Sequence, residues 1–495
     1  MLAAVFVGLA AGRLSGRRLR VAAAGLVVAA ALAYPNFGFF HVYYRSPIHW
    51  WDAYHYFMGA KYLPELGYSR LYEATWLAGR EMGAFAGIRV VRDLGTYAPR
   101  DVATIDAAAV RARFSPARWQ AFKRDLLVFG PRLPNWDRLF LDHGYNDPPP
   151  RALVLHLLVR AVPASPASLA VLTSLDYALV LLAFWAVWRA FGAVPAALAF
   201  ASFGLSFFAR FDFVGGSLLR WDWIAAILLG VAALARGAGG AAGLCFGYAA
   251  LGRIFPVLFL VPLAIKWAQA RGRDAVVGRC LAAAAGLCLV AGAVMVLAPG
   301  ARALAEEFAG KIGLHSQAAL TNHVGLGALL TFHAAPWTMA ADGSMIVPQA
   351  AALAARPAPW VLPAATLVCA LVVLPLVLRA RPLQSLLYAL PLIFCAVSPA
   401  GYYYSFLVLL VLLPWRDGVA DAVRLLEMAL LALVMAADFG FELLSTDWVP
   451  LFYRVTLLLG VFFVVWLGLE YLRLAGAERR WPWVPAPAPP PTGGG

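Results

Sequence analysis

The fold is decided by residues 278–298, which read GRCLAAAAGLCLVAGAVMVLA. The only charged side chain in this run is Arg279, at its amino end. A helix of about 20 apolar residues is long enough to cross the hydrocarbon core of a bilayer. The run therefore predicts a transmembrane helix.

The composition extends this prediction to the whole chain. Of its 495 residues, 62% are hydrophobic and 13% are charged, and the mean hydropathy is +0.75. An ordinary soluble chain is about a quarter charged. The shortage of charge excludes a soluble globular enzyme, a disordered protein and a coiled coil. We expect an all-α polytopic membrane protein.

Further apolar runs predict further spans, several of them shorter than an untilted helix needs. The candidate spans are residues 21–40, 166–188, 193–209, 217–235, 278–298, 358–379, 383–397, 402–415, 418–437 and 451–473. Residues 1–20 form a short N-terminal segment, whose first dozen residues are apolar but too few to span. Residues 21–480 are interpreted as a single transmembrane domain.

The net charge of +14 comes from basic residues that lie largely in short stretches between the apolar runs. Cytoplasmic loops are enriched in Lys and Arg, and the four arginines among residues 13–20 predict a cytoplasmic first loop. The long segments 41–165 and 300–357 then face the exterior. The Pro- and Gly-rich tail, residues 481–495, is expected to be disordered and cytoplasmic.

Residues 240–265 are interrupted by Arg253 and Pro256. A single span here would put the basic cluster from Lys266 to Arg279 outside. Two half-helices that turn back near Arg253 keep this cluster in the cytoplasm. Broken helices are tolerated in membranes only where they line a buried or wet cavity, so we expect Arg253 to point into one.

The five cysteines all lie within or at the ends of apolar runs. They form no CxxC motif and no Cys/His spacing typical of a metal site. We interpret them as small buried hydrophobic residues, and we expect neither a disulfide framework nor a zinc site.

Within the first exterior segment, Ser115 and Pro116 are typical of a helix start. Trp119, Phe122, Leu126 and Leu127 would form the apolar stripe of that helix. We expect it to lie on the membrane surface or on the helix bundle.

The first candidate site is His49-Trp-Trp-Asp52-Ala-Tyr54-His55-Tyr56, soon after the first span. On a helix, Asp52, His55 and Tyr56 share one face, because residues three and four apart are neighbours. An acid among aromatic rings at the membrane surface fits a general base for a hydroxyl group. The alternative is that Asp52 caps the helix or pairs with an arginine.

The second candidate, His143-Gly-Tyr-Asn146-Asp147-Pro-Pro-Pro150, immediately precedes an apolar run. The prolines fix an extended helix entry, which leaves Asp147 little conformational choice. A rigid turn explains the prolines fully, but it does not by itself explain why Asn146 and Asp147 stand together.

The third candidate is Arg220-Trp-Asp222-Trp at the start of a span. Ionisable residues inside a membrane are costly and often functional, although Arg220 and Asp222 also fit a structural ion pair. Arg253 is the better functional candidate, because a buried arginine needs an anion and its planar donors suit a phosphate.

Two exterior polar stretches complete the set. In His315-Ser-Gln-Ala-Ala-Leu-Thr321-Asn322-His323, two histidines, an amide and two hydroxyls stand on an otherwise apolar chain, and the histidine spacing is not that of a metal site. Ser398-Pro-Ala-Gly-Tyr402-Tyr403-Tyr404-Ser405 lies at a span end, where tyrosines are most often interface anchors.

Taken together, these motifs resemble those of the GT-C superfamily of integral-membrane glycosyltransferases, and most closely its polyprenol-phosphate-mannose-dependent mannosyltransferases. That branch has an Asp-x-x-x-Tyr segment followed by Gly and Leu-Tyr, as in Asp52 to Tyr56 and Gly67 to Tyr72. It has a Pro-Pro turn, matched at residues 148–150, and a basic residue three before a proline, matched by Arg253 where Lys is more frequent.

Two later motifs are matched by Asn322-His323 and by Ser398-Pro followed by tyrosines. This chain departs from the pattern in an insertion at about residues 80–145, and in Leu219-Arg-Trp-Asp222 where the family has a Gly-Gln-x-Asn-like helix start.

The resemblance implies a GT-C-like bundle of about 10–13 transmembrane helices with a long first exterior loop. It implies an inverting transfer of a mannose-like hexose from a polyprenyl-phosphate donor to a hydroxyl on a lipid or glycan acceptor, on the periplasmic face of a bacterial inner or plasma membrane. Asp52 would be the catalytic base, and Arg253, His315 and His323 would bind the donor phosphate. The expected substrate contacts are His55, Tyr56, Asn146, Asp147, Arg220, Asp222, Asn322, Tyr402 and Tyr403. No cofactor and no nucleic-acid partner are expected.

A multi-span transporter or lipid flippase is the alternative. It would also contain broken helices and buried charge, but it would be expected to show inverted repeats with paired broken segments. A single broken segment is found in the sequence.

Overall fold

The computed structural model describes residues 1–317, 322–334, 338–339, 345–346, 352, 354–417, 421–445 and 447–478. The predicted tail, residues 481–495, lies outside these described residues. About 75% of the chain is helical. In the described part, strands are confined to two short antiparallel pairs, β1 (Val90–Arg92) with β2 (Pro99–Asp101), and β3 (Thr338–Met339) with β4 (Met345–Ile346).

The first ten helices along the chain are α1 (Leu2–Ala10), α2 (Gly16–Ala33), α3 (Trp50–Ala53), α4 (Gly59–Lys61), α5 (Leu63–Leu66), α6 (Leu71–Glu81), α7 (Ala107–Ala112), α8 (Pro116–Phe129), α9 (Trp136–Leu139) and α10 (Pro149–Val159). A π-helical turn, Tyr54–Met58, joins α3 to α4. Short 3-10 helices lie at Asn36–Gly38, Val102–Thr104 and Gly130–Arg132.

The following helices are α11 (Pro166–Phe191), α12 (Ala193–Gly204), α13 (Phe211–Val214), α14 (Asp222–Ala235), α15 (Gly239–Arg253), α16 (Leu260–Gln269), α17 (Ala275–Leu297), α18 (Ala301–Gln317), α19 (Leu326–Ala334), α20 (Val361–Arg379), α21 (Pro382–Ser385), α22 (Ala389–Ala396), α23 (Val408–Leu412), α24 (Ala422–Leu443) and α25 (Trp448–Glu478). Further 3-10 helices lie at Phe255–Phe259, Leu386–Tyr388, Gly401–Leu407 and Leu413–Asp417.

Among the described residues, four helices are long and apolar enough to cross a membrane: Pro166–Phe191, Ala275–Leu297, Val361–Arg379 and Trp448–Ala475. Shorter apolar helices accompany them, including Ala193–Gly204 and Asp222–Ala235. Apolar side chains also face outwards, since Leu289 is 74% exposed and Val296 is 70% exposed. A helix that is apolar on all sides is typical of a membrane span. The fold is that of an all-α membrane protein.

The spanning helices and their neighbours share one large apolar core. Within it α2 packs on α12, α11 on α14, α14 on α15, and α24 on α25. The short apolar segment at the amino terminus is helical, and its Phe6 is fully buried where α1 packs against α24.

Residues 48–159, which we call the aromatic module, form most of a second apolar core, to which Leu169, Leu172, Leu218, Leu219 and Phe308 also belong. The rings of Trp50 and Tyr54 meet that of Phe129, and Tyr54 also meets Trp136. The aromatic module is therefore a compact, mainly helical unit. Its core depends on contacts between residues some eighty positions apart, which leave no periodic signal in the sequence.

Helix α8 begins as predicted, with Ser115 Oγ accepting from the backbone nitrogen of Arg118 at 3.3 Å. Trp119, Phe122 and Leu126 are buried, but the prediction for Leu127 is wrong, because this residue is 59% exposed. The buried face of α8 packs inside the aromatic module, in contact with α6, rather than on a membrane surface or on the bundle.

The predicted break in residues 240–265 is confirmed. Helix α15 ends at Arg253, and a 3-10 turn leads into α16. The two arms return to the same end of the bundle. A Cβ on Gly239 would meet Val276 at the start of α17, and Trp267 of α16 lies beside Gly278.

Candidate functional site

A cavity of about 1300 Å³ lies where the aromatic module, the break after α15 and the loops at residues 322–328 and 398–403 meet. It brings together most of the residues predicted from the sequence. Its walls include Asp52, His55, Tyr56, Asn146, Arg220, Arg253, His315, Asn322, His323, Tyr402 and Tyr403. The other two predicted residues, Asp147 and Asp222, do not line the cavity and lie buried behind Arg253.

Asp52 lies in the single turn of α3, and its side chain is 17% exposed. Ser217 Oγ donates to Asp52 Oδ2 at 3.2 Å, and Arg220 Nε lies 3.3 Å from the same oxygen. Burial alone would raise the pKa of Asp52, but Arg220, His49 and His55 outweigh it and hold the pKa below its ordinary value. The cavity wall therefore carries an ionised carboxylate.

The loop before α14 can reach Asp52 because residue 216 is a glycine. Gly216 has φ +71°, and a Cβ there would stand 1.9 Å from the carbonyl oxygen of Pro47. Its own carbonyl accepts from the backbone nitrogen of His49 at 2.9 Å. Glycine alone permits this approach, which sets Ser217 and Arg220 against Asp52.

Arg220 is fixed on several sides. Its Nη2 donates to the hydroxyl of Tyr402 at 2.6 Å, and its guanidinium lies over the ring of Tyr56 at 4.4 Å. The tyrosine at the predicted span end therefore holds an arginine in the cavity wall.

Arg253 belongs to a buried ion network. Its Nη1 donates to Asp147 Oδ1 at 2.6 Å. Asp147 also pairs with Arg151, whose Nε lies 2.9 Å from Asp222 Oδ2. Two arginines thus face two aspartates. Asp147 and Asp222 consequently hold the arginines in place, and their carboxylates are already occupied.

Two donors of Arg253 remain available. Its side chain is 5% exposed, and neither Nε nor Nη2 has a hydrogen-bond partner among the described residues. A buried donor without a partner costs about 1–3 kcal/mol. An anion in the cavity would provide the missing acceptors.

The residue after Arg253 is in a strained conformation. Ile254 has φ 61° and ψ −63°, and its carbonyl accepts from the backbone nitrogen of Val257 at 3.1 Å. Positive φ is rare for a β-branched residue and costs about 1–3 kcal/mol. This turn ends α15 and leaves Arg253 at the cavity wall.

Three histidines line another part of the wall. The ring of His315 lies 5.6 Å from that of His143 and 6.1 Å from that of His323, and His315 Nδ1 is 3.2 Å from the hydroxyl of Tyr97. Burial, followed by neighbouring His143, lowers the pKa of His315 to about 4. Burial and His315 lower the pKa of His323 to about 3. Both rings are therefore neutral at pH 7.

The loop with Asn322 and His323 is joined to the loop with Ser398. Gly401 N donates to the carbonyl of Asn322 at 2.8 Å, and Val324 N donates to that of Pro399 at 2.9 Å. Gly325, with φ +147°, permits the contact, since a Cβ there would lie 2.4 Å from the carbonyl oxygen of Val397. The two predicted motifs thus form one structural unit. Thr321 lies outside the described residues.

His55 has a structural role in the π-helical turn. Its Nδ1 lies 2.9 Å from the carbonyl oxygen of Trp51, so this nitrogen carries the proton and donates. Its Nε2 therefore accepts from the hydroxyl of Tyr72 at 2.8 Å. With both nitrogens engaged, His55 shapes the wall around Asp52 rather than exchanging protons.

Three ionisable residues of the cavity were not among the predicted site residues: Asp142, His143 and Arg356. Asp142 Oδ2 accepts from Trp51 Nε1 at 2.6 Å. Burial would raise its pKa, but the hydrogen bond from His143 and the nearby His55 keep the pKa well below its ordinary range. The signal for Asp142 was its position immediately before the His143 motif.

One side of the cavity is apolar. Ile254, Phe255, Val257, Leu258, Phe332 and Leu362 line it, and Ile254 and Val257 are also 51% and 46% exposed. The cavity thus combines ionised and polar groups with an apolar wall that reaches the surface of the bundle.

No group of three or more His, Cys, Asp or Glu side chains suited to a metal ion occurs among the described residues. All five cysteines are described and are free thiols.

Fold and site together define an all-α membrane protein with a polar, charge-paired cavity and an apolar side wall. Comparison of the chain with protein-family models, curated proteins and solved structures found no match.

Proposed function

We propose that this protein is a GT-C-like integral-membrane glycosyltransferase that moves a mannose-like hexose from a polyprenyl-phosphate donor to an acceptor hydroxyl. The observation that carries the proposal is the meeting of Asp52, Arg253 and His323 on the walls of one cavity with an apolar side. A base, a phosphate ligand and a lipid-compatible wall are what this transfer requires.

In the proposed reaction, Asp52 accepts the proton of the acceptor hydroxyl. The hydroxyl oxygen forms a bond to the anomeric carbon of the donor while the bond from that carbon to the phosphate oxygen breaks. The electron pair leaves with the phosphate. The lowered pKa keeps Asp52 ionised at neutral pH, which is the form that a base needs, although it also makes the carboxylate a weaker base. A single displacement of this kind inverts the anomeric configuration.

The leaving phosphate would bind Arg253 through Nε and Nη2, the two donors without partners. An arginine presents these donors in a planar fork that matches a phosphate. Asp147 and Arg151 hold the guanidinium in place, so little reorganisation is needed as charge develops. His315 and His323 would donate further hydrogen bonds.

The isoprenoid chain of the donor would lie along the apolar wall formed by Ile254, Val257 and Leu258. The exposed side chains of this wall suit contact with lipid. We propose that the bundle has about 10–13 spans and that the cavity opens to the exterior, periplasmic side, where a lipid-linked sugar is presented.

The experiment that tests this proposal compares Asp52→Asn with the wild-type protein in lipid nanodiscs, using mass spectrometry to detect transfer. We expect the variant to bind a polyprenyl-phosphate hexose and to lose transfer by about 10²–10⁴-fold. Asp137→Asn, an exposed position of the aromatic module outside the cavity, is the matched control. Normal transfer by Asp52→Asn would contradict the assignment of the base.

A further inference from the structure

A second pocket, of about 610 Å³, lies against the aromatic module on the far side of Asp142. Its lining includes His41, Tyr43, Tyr44, His49, Trp51, Arg138, Asp142, Asp212 and Trp448. Asp142 and Trp448 line the main cavity as well. The two spaces therefore share a wall, and that wall carries a carboxylate.

His41 is the unsatisfied group of this pocket. It is 6% exposed, and neither of its ring nitrogens has a hydrogen-bond partner among the described residues. The nearest acid is Asp212, whose Oδ1 is 3.8 Å from His41 Nδ1. The oxygens of Asp212 already accept from Val42 N and Asn36 Nδ2. Buried polar side chains are normally hydrogen-bonded, so His41 has one donor and one acceptor to offer a ligand.

The chemistry of the lining narrows the ligand class. Burial, together with His49, lowers the pKa of His41 to about 4, so the ring is neutral. The carboxylates of Asp142 and Asp212 accept hydrogen bonds and disfavour a bound anion. Arg138 is the basic residue of the lining. Tyr44, Trp51 and Trp448 add flat apolar surfaces. A ligand that carries hydroxyl groups next to apolar ring faces would fit these side chains. A pyranose has this arrangement.

We infer that the second pocket binds the acceptor of the proposed reaction through a pyranose ring. This inference rests on the proposed function. A ring held by His41 and the aromatic side chains would lie next to Asp142. One of its hydroxyls would then enter the main cavity, whose wall also carries Asp52.

The first test measures binding of methyl α-mannopyranoside to the protein in nanodiscs by saturation-transfer NMR, without any donor. We expect the dissociation constant to rise at least tenfold in His41→Leu. Tyr44→Ala, which removes an aromatic ring together with its hydroxyl group, should weaken binding too and serves if His41→Leu does not fold. His156→Leu, which alters a histidine outside both pockets, should bind normally.

Absence of binding by the wild type, or equal binding by the wild type and both pocket variants, would overturn the inference. Binding of the same strength to nanodiscs without protein would overturn it as well.

The second test separates this inference from the proposed function by using methyl α-mannopyranoside as acceptor and a polyprenyl-phosphate mannose as donor. We expect His41→Leu to raise the acceptor KM about tenfold while kcat changes less than twofold. An unchanged KM would overturn the acceptor pocket and leave the proposed function intact. If the wild type binds the glycoside through His41 but transfers no sugar from any polyprenyl donor, the proposed function fails and the pyranose pocket remains.

Discussion

The charges around the main cavity are balanced residue by residue. Asp52 faces Arg220, and Asp147 lies between Arg151 and Arg253. Removing one member of a buried pair leaves an uncompensated charge, which costs about 3–5 kcal/mol. The same pairing prepares Arg253 for an anion, since its position no longer depends on the ligand.

Asp147→Asn should therefore lower the free energy of unfolding by about 3–5 kcal/mol, because it leaves Arg151 and Arg253 without their shared carboxylate. Denaturant unfolding in detergent measures the change. The matched control is Glu306→Gln, which removes another i,i+4 arginine pair. Arg302 and Glu306 are 78% and 65% exposed, so water screens their charges and the variant should leave the free energy of unfolding nearly unchanged. Equal effects of the two variants would show that the Asp147 network is not a buried pair.

The neutral histidines predict acid sensitivity. Burial lowers the pKa of His315 to about 4 and that of His323 to about 3, from an ordinary 6.5. Between about pH 6.5 and 4 the unfolded chain binds protons that the folded protein excludes. The stabilisation is complete above about pH 6.5 and is lost as the pH falls.

The double variant His315→Gln/His323→Gln should accordingly show a smaller fall in Tm between pH 7 and pH 5 than the wild type. Thermal unfolding followed by tryptophan fluorescence measures it. An undiminished fall would mean that other groups account for the acid sensitivity.

At this scale, the sequence indicated the residues that are both polar and set in apolar surroundings. Asp52, Arg253 and His323 stood out for that reason. Asp142 did not, because it lies in the insertion, where charges are frequent and no spacing marks it. The ion pair between Asp147 and Arg151 was not predictable either. Arg151 directly follows the prolines and resembles an ordinary charge at a membrane interface.

At the scale of elements, the break after α15 is the feature that the sequence and the structure share. Arg253 and Pro256 within an apolar run predicted it. The strained turn at Ile254 was not predictable, because its backbone is imposed by the packing of α15 and α16 against α17.

Ile254→Gly should raise Tm relative to Ile254→Val. Glycine adopts positive φ without the penalty of a Cβ, and the exposed Ile254 side chain contributes little burial. The gain should be about 1 kcal/mol. Thermal unfolding of the two variants and the wild type measures it, and a lower Tm for the glycine variant than for the valine variant would contradict the strain.

Element bounds were predictable where apolar runs are long. Helices α11, α17 and α20 begin and end close to the predicted spans. The runs at residues 383–397 and 402–415 are instead mixed α- and 3-10 helices, and the π-helical turn at Tyr54–Met58 was not foreseen. Such departures depend on tertiary contacts, here between the hydroxyl of Tyr72 and His55.

At the scale of the whole molecule, one apolar core belongs to the helix bundle, and the second is built mostly from the aromatic module and the start of α11. Composition predicted the bundle because its signal is additive along the chain. The module was expected only as a loop, since its core is assembled from distant aromatic residues. The convergence of the motifs on one cavity likewise depended on the fold.

The distribution of basic residues predicts that the aromatic module and the connection after α14 lie on opposite sides of the membrane. Asp137→Cys in the module and Arg236→Cys after α14, each in a background without the native cysteines, test this prediction. A membrane-impermeant maleimide applied to sealed, oriented vesicles should label only one of the two positions from a given side. Labelling of both from the same side would contradict the orientation.

The central claim is that the cavity transfers a sugar from a lipid phosphate with Asp52 as base. The most direct measurement incubates wild-type protein and Asp52→Asn with a set of polyprenyl-phosphate hexoses and a membrane-lipid and glycan extract, and identifies glycosylated products by mass spectrometry. We predict an inverted product from the wild type and at least a hundredfold less from the variant, with donor binding retained. The same product yield from both proteins would contradict the role of Asp52, and no product from any donor would contradict the proposed function.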